Sequence, residues 1–89
     1  HGLRIRRHIE NLALGNAYLT LRRPSDALAA FRTAGDRGKD SRRADLGVAL
    51  SLRGLDRRSE ALDFARRSLT RNPDNPPLQQ LARDLAAGR

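Results

Sequence analysis

The residues that could perform chemistry in this chain are few, and their spacing does not build a catalytic site. The sequence contains two histidines and no cysteine, and it shows no phosphate-binding loop, nucleophile elbow or metal-ligand spacing. His8 stands beside Arg7 and near Glu10 on a basic stretch. That context is typical of a surface histidine, because no nucleophile or orienting carboxylate accompanies it. The sequence therefore predicts no enzyme activity, no metal site and no cofactor.

Arginine is the other residue type that could act chemically, through bidentate contacts with phosphate or carboxylate groups. The chain has 18 Lys+Arg against 10 Asp+Glu, and its formal net charge is +8. A connected basic surface would attract nucleic acid or anionic lipid through counterion release. Recognition of single strands usually needs stacking aromatic rings, however, and Tyr18, Phe31 and Phe64 stand at core-like positions. Solvated helix faces are the favoured interpretation, and nucleic-acid binding is an alternative function.

Helices must position these residues, because the apolar pattern is helical nearly throughout. Apolar residues at spacings of three and four over residues 3 to 21 predict the first helix. Pro24 suits the first turn of a second helix, since the missing N–H of proline goes unused there. Gly35 and Gly38 mark the end of that helix.

The second half of the chain repeats this alternation of helices and breaks. A third helix is predicted from about Arg42 to Arg53 and ends at Gly54. Asp56 or Ser59 is the predicted cap of a fourth helix. The proline-rich run at 72–77 stops it, because proline cannot continue a helix.

A fifth helix closes the prediction of a single all-α domain of 89 residues. Asn75 is its predicted cap, Pro76 and Pro77 open it, and Gly88 ends it. No run of residues is apolar enough to span a bilayer, and no signal peptide is visible. The compartment stays open between cytoplasm and periplasm.

An internal repeat underlies the five helices. Ala27-Leu28 of the second helix aligns with Ala61-Leu62 of the fourth at an offset of 34. The first and third helices align as Leu14-Gly15 against Leu46-Gly47, at an offset of 32. A second frame keeps a strict 34-residue period and uses Val48, Ala49 and Leu52 instead. The two frames rotate the third helix differently, and both stay open.

These residues resemble the tetratricopeptide repeat (TPR) pattern, in which a Leu-Gly-x-x-Tyr helix is followed by an Ala-x-x-x-Phe-x-x-Ala helix and a proline. The resemblance covers about residues 8 to 89. The positions that match are Leu14, Gly15, Tyr18, Ala27, Phe31, Ala34, Leu46, Gly47, Ala61, Pro73, Leu81 and Ala82. Asn11 and Arg43 stand where the family often has a large aromatic residue, and Lys39 stands where proline would close the first repeat.

The resemblance implies two helical hairpins and a capping helix, stacked as a short right-handed superhelix. Its boundaries would be repeat 1 at about 8–39, repeat 2 at about 40–74 and the capping helix at about 75–88. The first helices of such hairpins line a concave face that holds a partner peptide or helix. By position, that lining would be Ile9, Leu12, Asn16, Thr20, Val48, Ser51, Gln79 and Arg83.

The resemblance also implies the kind of function. It predicts a non-enzymatic scaffold or adaptor that binds another protein or peptide, and arginine-rich bacterial members serve secretion, pilus or envelope assembly. The clamp that some members use for a C-terminal carboxylate is not present, since Leu12 replaces its lysine and Asp45 replaces an asparagine. A homo-oligomer through the terminal helices is a further alternative, because Ile5 and Ile9 lack a polar cap and would pack on an earlier repeat or a second copy.

Overall fold

The structure is a computed structural model that describes the backbone of residues 2–35 and 41–88 and the side chains of residues 6–35 and 41–88. It contains five helices: α1 (Gly2–Thr20), α2 (Pro24–Gly35), α3 (Ser41–Gly54), α4 (Arg58–Arg71) and α5 (Pro76–Ala86). No strand occurs in these two stretches. The prediction of an all-α fold with five helices is confirmed.

Proline sets two of the helix starts as predicted, but the caps differ from the prediction. α2 begins at Pro24 and α5 at Pro76. The residue before α4 is Arg57, so neither Asp56 nor Ser59 caps that helix. Asn75 does precede α5, yet its side chain makes no capping hydrogen bond. Its Nδ2 instead donates to the carbonyl of Arg42, at 3.1 Å, which ties the start of α5 to α3.

The turns inside the two hairpins have the same geometry and lie one 34-residue period apart. The N–H of Arg23 donates to the Tyr18 carbonyl at 2.8 Å, and the N–H of Arg57 donates to the Leu52 carbonyl at 2.9 Å. The residues before them, Arg22 and Asp56, have positive φ angles of 58° and 61°. This is the pattern by which a left-handed residue closes a helix. The frame with a strict 34-residue period therefore describes the turns, rather than a longer second turn.

That register changes which residues of α3 correspond to the Leu-Gly pair of α1. Val48 and Ala49, not Leu46 and Gly47, lie one full period after Leu14 and Gly15. The Leu46-Gly47 frame is two residues out of step, and two residues rotate a helix by about 200°. Its apparent match arises because Gly47 is needed for a different reason, close approach to the Phe31 ring.

The core is built around the ring of Phe31, which lies close to two glycines, Gly15 and Gly47. A methyl group at Gly15 would lie 2.7 Å from the ring, and one at Gly47 would overlap it. Phe31 itself is 1% exposed. The absence of a side chain at both glycines thus lets α1 and α3 both approach one residue of α2 closely.

Small and branched apolar residues complete this core along the stack. Ala27 and Ala34 of α2 and Ala61 of α4 are buried and bring the helices of each hairpin close together. α5 then covers the end of the second hairpin. It packs against α4 and α3 and buries Leu78, Leu81 and Leu85.

Candidate binding surface

The first helices of the hairpins form a continuous row. α3 contacts both α1 and α5, whereas α2 and α4 contact only these first helices and not each other within the part of the chain that is described. The row α1–α3–α5 is therefore more closely spaced than the pair α2–α4. We call α1–α3–α5 the inner row, since the TPR resemblance predicts that these helices line a concave face.

The structure separates the eight predicted lining residues by exposure. Gln79 is half-buried. The exposed residues are Ile9, Asn16, Thr20 and Arg83, and the buried ones are Leu12, Val48 and Ser51. Leu12 is 7% exposed, Val48 4% and Ser51 0%. These three belong to the core, so their prediction as groove residues is corrected.

The register of α3 explains the error at Val48. The 32-residue offset makes Val48 the equivalent of Asn16, whereas no predicted groove residue of α1 lies 32 residues before Ser51. In the 34-residue register these two residues of α3 correspond to Leu14 and Ala17, which lie on a different side of α1. The Ser51 hydroxyl donates to the Gly47 carbonyl at 2.8 Å within its own helix, so it offers nothing to a partner.

In the 34-residue register, Arg43, Leu46 and Leu50 of α3 take the positions that the prediction gave to the groove, although Leu12, the α1 equivalent of Leu46, is itself buried. They follow Ile9, Leu12 and Asn16 by one full period. Arg43 is exposed, and both leucines are half-buried. The strict 34-residue period of the sequence was the signal that could have identified them, because the same period carries the turns.

A shallow pocket of about 280 Å³ opens on this row, between the starts of α3 and α5. Leu46, Pro76 and Pro77 provide its apolar lining. Arg42 forms one fixed wall, since its Nη1 lies 3.3 Å from both Oδ2 and the backbone oxygen of Asp74. The full lining is Arg42, Arg43, Leu46, Asp74, Asn75, Pro76 and Pro77.

Three of the predicted residues that are exposed or half-buried already use a polar group in a hydrogen bond within the chain. The Thr20 hydroxyl donates to the carbonyl of Asn16 at 3.0 Å within α1. Gln79 donates from Nε2 to the carbonyl of Pro73 at 2.6 Å. Arg83 donates to Oε1 of Gln80 at 3.3 Å, on the exposed face of α5.

His8 contributes to helix packing rather than to a site. Its Nδ1 lies 2.8 Å from the carbonyl of Ala34, at the last turn of α2, and the side chain is half-buried. The described side chains contain no group of three or more His, Asp or Glu that could hold a metal ion. The contact between His8 and the Ala34 carbonyl joins α1 to the end of α2, where helix carbonyls lack intrahelical partners.

The arginines are spread over the molecule. Arg22 and Arg23 lie at the turn of the first hairpin and Arg57 at the equivalent turn, whereas Arg42 and Arg43 lie at the opposite end of the hairpins. The ion pairs they form, such as Arg23–Asp26 at 2.8 Å, are solvent-exposed and contribute little to stability. The topology thus places positive charge at both ends of the hairpins.

Comparison with protein-family models, curated proteins and solved structures found no match. Among helices 2–20, 24–35, 41–54, 58–71 and 76–86, none combines the length and the apolar character that crossing a bilayer requires.

Proposed function

We propose that this chain is a non-enzymatic, TPR-type interaction module, a scaffold or adaptor whose partner protein lies across the row formed by α1, α3 and α5. Assembly of bacterial secretion systems, pili or the envelope is the process that the sequence resemblance implies. The observation that carries the proposal is the pocket between α3 and α5, because it lies on the inner row and combines apolar and cationic groups.

The chemistry of the pocket indicates what kind of segment would fit it. Leu46 and Pro77 offer an apolar surface, and Arg43 stands exposed beside them. A partner segment with an apolar side chain next to a carboxylate would satisfy both, since guanidinium groups bind carboxylates in a bidentate geometry. Helices or extended peptides laid in grooves are recognised through such spaced anchors.

The exposed residues of α1 and α5 extend this surface on both sides of the pocket. Asn16 can donate and accept hydrogen bonds to a peptide backbone, and Arg83 adds a cation on α5. Together with Arg43 they span the three helices of the row. A partner that crosses all three helices would gain affinity from each without any one contact being dominant.

The test is capture of partners from a native lysate by the immobilised chain, with and without nuclease, followed by mass spectrometry. The key variant is Arg43→Glu, and the matched control is Arg66→Glu, the same charge reversal at an exposed position of α4. We expect a defined protein that survives nuclease, is lost with Arg43→Glu and with the pair Asn16→Ala and Arg83→Glu, and is retained with Arg66→Glu.

Two outcomes would contradict the proposal. If both charge reversals weaken capture equally, the net charge governs binding and the inner row is not the site. If capture disappears with nuclease, the arginines bind nucleic acid, and the alternative function takes first place.

A further inference from the structure

The large apolar side chains that remain exposed are concentrated on α1. Among the side chains of 6–35 and 41–88, they are Ile9 at 57% exposure, Leu14 at 45% and Leu21 at 65%. Leu21 follows the last residue of α1, and its N–H donates to the Ala17 carbonyl at 3.0 Å, so it continues the helical turn. Contiguous apolar surface on a small domain marks an interaction site, so the arrangement of these residues along α1 decides whether they form one.

The repeat shows that this face of α1 is of a type that is covered elsewhere in the molecule. The face in question contains Ala13, Leu14 and Ala17. Their equivalents one period later, in α3, are all buried: Gly47, Val48 and Ser51. Their equivalents two periods later, in α5, are buried or half-buried: Leu81, Ala82 and Leu85. α3 packs on the preceding α2, and α5 packs on the preceding α4. In α1 the same three positions are exposed, and within residues 2–35 and 41–88 α1 contacts only α2 and α3.

The exposed residues of α1 form a ridge with a palindromic pattern. Ile9, Ala13, Ala17 and Leu21 are each four residues apart, so they make one row along the helix. The row reads large, small, small, large in either direction. Rows with a spacing of four interlock when two helices pack at the commonest crossing angle, and small residues at the crossing point allow close approach.

We propose that a second copy of this chain covers the face, through antiparallel packing of α1 against α1 about a two-fold axis. In this arrangement Ala13 of each copy lies beside Ala17 of the other, and Ile9 of each copy lies beside Leu21 of the other. A two-fold interface uses the same patch on both copies and needs a self-complementary pattern, which the palindrome provides. The interface is separate from the pocket at Leu46, although Ile9 belongs both to the predicted groove lining and to this ridge, and it goes beyond the proposed binding function.

The other end of the stack does not offer an equivalent partner for α1. α5 exposes Gln80 and Arg83 and has no exposed large apolar side chain among its described residues. Head-to-tail stacking of copies would thus place the apolar ridge against polar groups. The α1–α1 contact closes on itself, so association stops at two copies.

Charge opposes this association and gives it a distinctive dependence on salt. Each copy carries a formal net charge of +8, so two copies repel each other at low ionic strength. Added salt screens that repulsion and leaves the apolar contact intact. Dimerisation should therefore strengthen as salt rises, opposite to the behaviour of association through ion pairs.

The experiment measures mass by sedimentation equilibrium over a range of concentrations and salt. We expect the mass of the parent chain to rise from 9.9 kDa toward twice that value as either variable increases. Ala17→Glu should keep the mass of one chain throughout. Ala29→Glu is the matched control, since it makes the same substitution at an exposed alanine of α2, and it should dimerise like the parent.

The absence of cysteine from the chain allows a second measurement of the register. Chains with Ala13→Cys and chains with Ala17→Cys are mixed and oxidised. Antiparallel packing predicts that the mixed disulfide forms in preference to either symmetric one. Preference for the symmetric disulfides would overturn the antiparallel register. A strict monomer at all concentrations, or equal effects of Ala17→Glu and Ala29→Glu, would overturn the second copy as the occupant and leave the face to another protein.

Discussion

The ring of Phe31 packs closely against two helices because Gly15 and Gly47 have no side chains. The ring fills the space that side chains at Gly15 and Gly47 would need, so one residue of α2 contacts both flanking first helices. Glycine inside a helix normally lowers stability relative to alanine by about 1 kcal/mol. At these two positions that cost is offset by the contact with a buried aromatic ring.

Gly15→Ala should accordingly destabilise the chain although alanine is the better helix former. The new methyl would lie 2.7 Å from the Phe31 ring, and overpacking of this kind costs about 1–3 kcal/mol. The helix-propensity gain reduces the net loss in free energy of unfolding to about 0–2 kcal/mol. Urea denaturation followed by circular dichroism measures it.

Gly35→Ala is the control for that measurement. The nearest neighbour of its new methyl is Cβ of Ala44, at 3.4 Å, which is close to ordinary contact. Its free energy of unfolding should stay the same or rise by up to about 1 kcal/mol, the helix-propensity gain of alanine over glycine. A Gly15→Ala chain as stable as the parent would show that the helices separate freely at Phe31.

Two buried serines provide a second prediction at the level of single residues. Ser51 is 0% and Ser68 2% exposed, but their hydroxyls have different acceptors. Ser51 donates within α3, whereas Ser68 of α4 donates to Oδ2 of Asp45 on α3, at 2.5 Å. Only the second bond joins two helices, and it involves a carboxylate.

Ser68→Ala should therefore cost about 1.5–3 kcal/mol, the range for hydrogen bonds to charged groups. Ser51→Ala should be nearly neutral, because the lost bond is local and alanine favours the helix. Thermal unfolding of the two variants in parallel compares them. Equal shifts in Tm would mean that the Asp45 contact adds nothing beyond burial of a small side chain.

At the scale of elements, the two hairpin turns impose the same backbone conformation on different residues. Arg22 and Asp56 both adopt a left-handed conformation, which costs a residue with a side chain about 1–2 kcal/mol and glycine almost nothing. Asparagine and aspartate tolerate this region better than arginine. The first turn is therefore the more strained of the two.

Arg22→Gly should stabilise the chain by up to about 1 kcal/mol, after part of the gain is offset by the greater freedom of glycine in the unfolded state. Asp56→Gly should give a smaller gain. Arg23→Gly is the control, since Arg23 pairs with Asp26 and lies 5.4 Å from the centre of the Tyr18 ring. Stabilisation by Arg23→Gly as well would trace the effect to charge removal rather than to the turn.

The elements also show how far the sequence could be used to predict the structure. Periodicity and proline placed all five helices, because apolar spacing and a missing N–H act locally. Val48 and Ser51 could not be assigned to the right face in the same way. A glycine at 47 imitates the repeat signature, and only the contact with Phe31 reveals why it is glycine.

The surface of the inner row was predictable only in part, again because part of it depends on contacts between distant residues. Asn16 and Arg83 are exposed as the prediction needs. The pocket at Leu46, however, depends on how α5 packs across the start of α3, where Asn75 binds the Arg42 carbonyl instead of capping its own helix. That is a contact between distant residues, and no local pattern encodes it.

At the scale of the whole molecule, stability should vary along the stack. Among the residues that the structure describes, α3 contacts all four other helices, whereas α1 contacts only α2 and α3, and α5 only α3 and α4. Stacked hairpins gain stability from each neighbour, so a terminal helix has fewer sources of it than a central one. Local opening of α1 should therefore require less free energy than opening of α3.

Amide hydrogen exchange followed by mass spectrometry tests this order. In dilute solution, α3 should exchange most slowly and α1 faster than α3. Raising the protein concentration should slow exchange in α1 more than in α5, because the second copy stabilises α1 alone. The Ala17→Glu chain should show the gradient without the dependence on concentration. If all five helices exchange at one rate, the chain opens as a single cooperative unit, and the reduced packing of α1 has no energetic consequence.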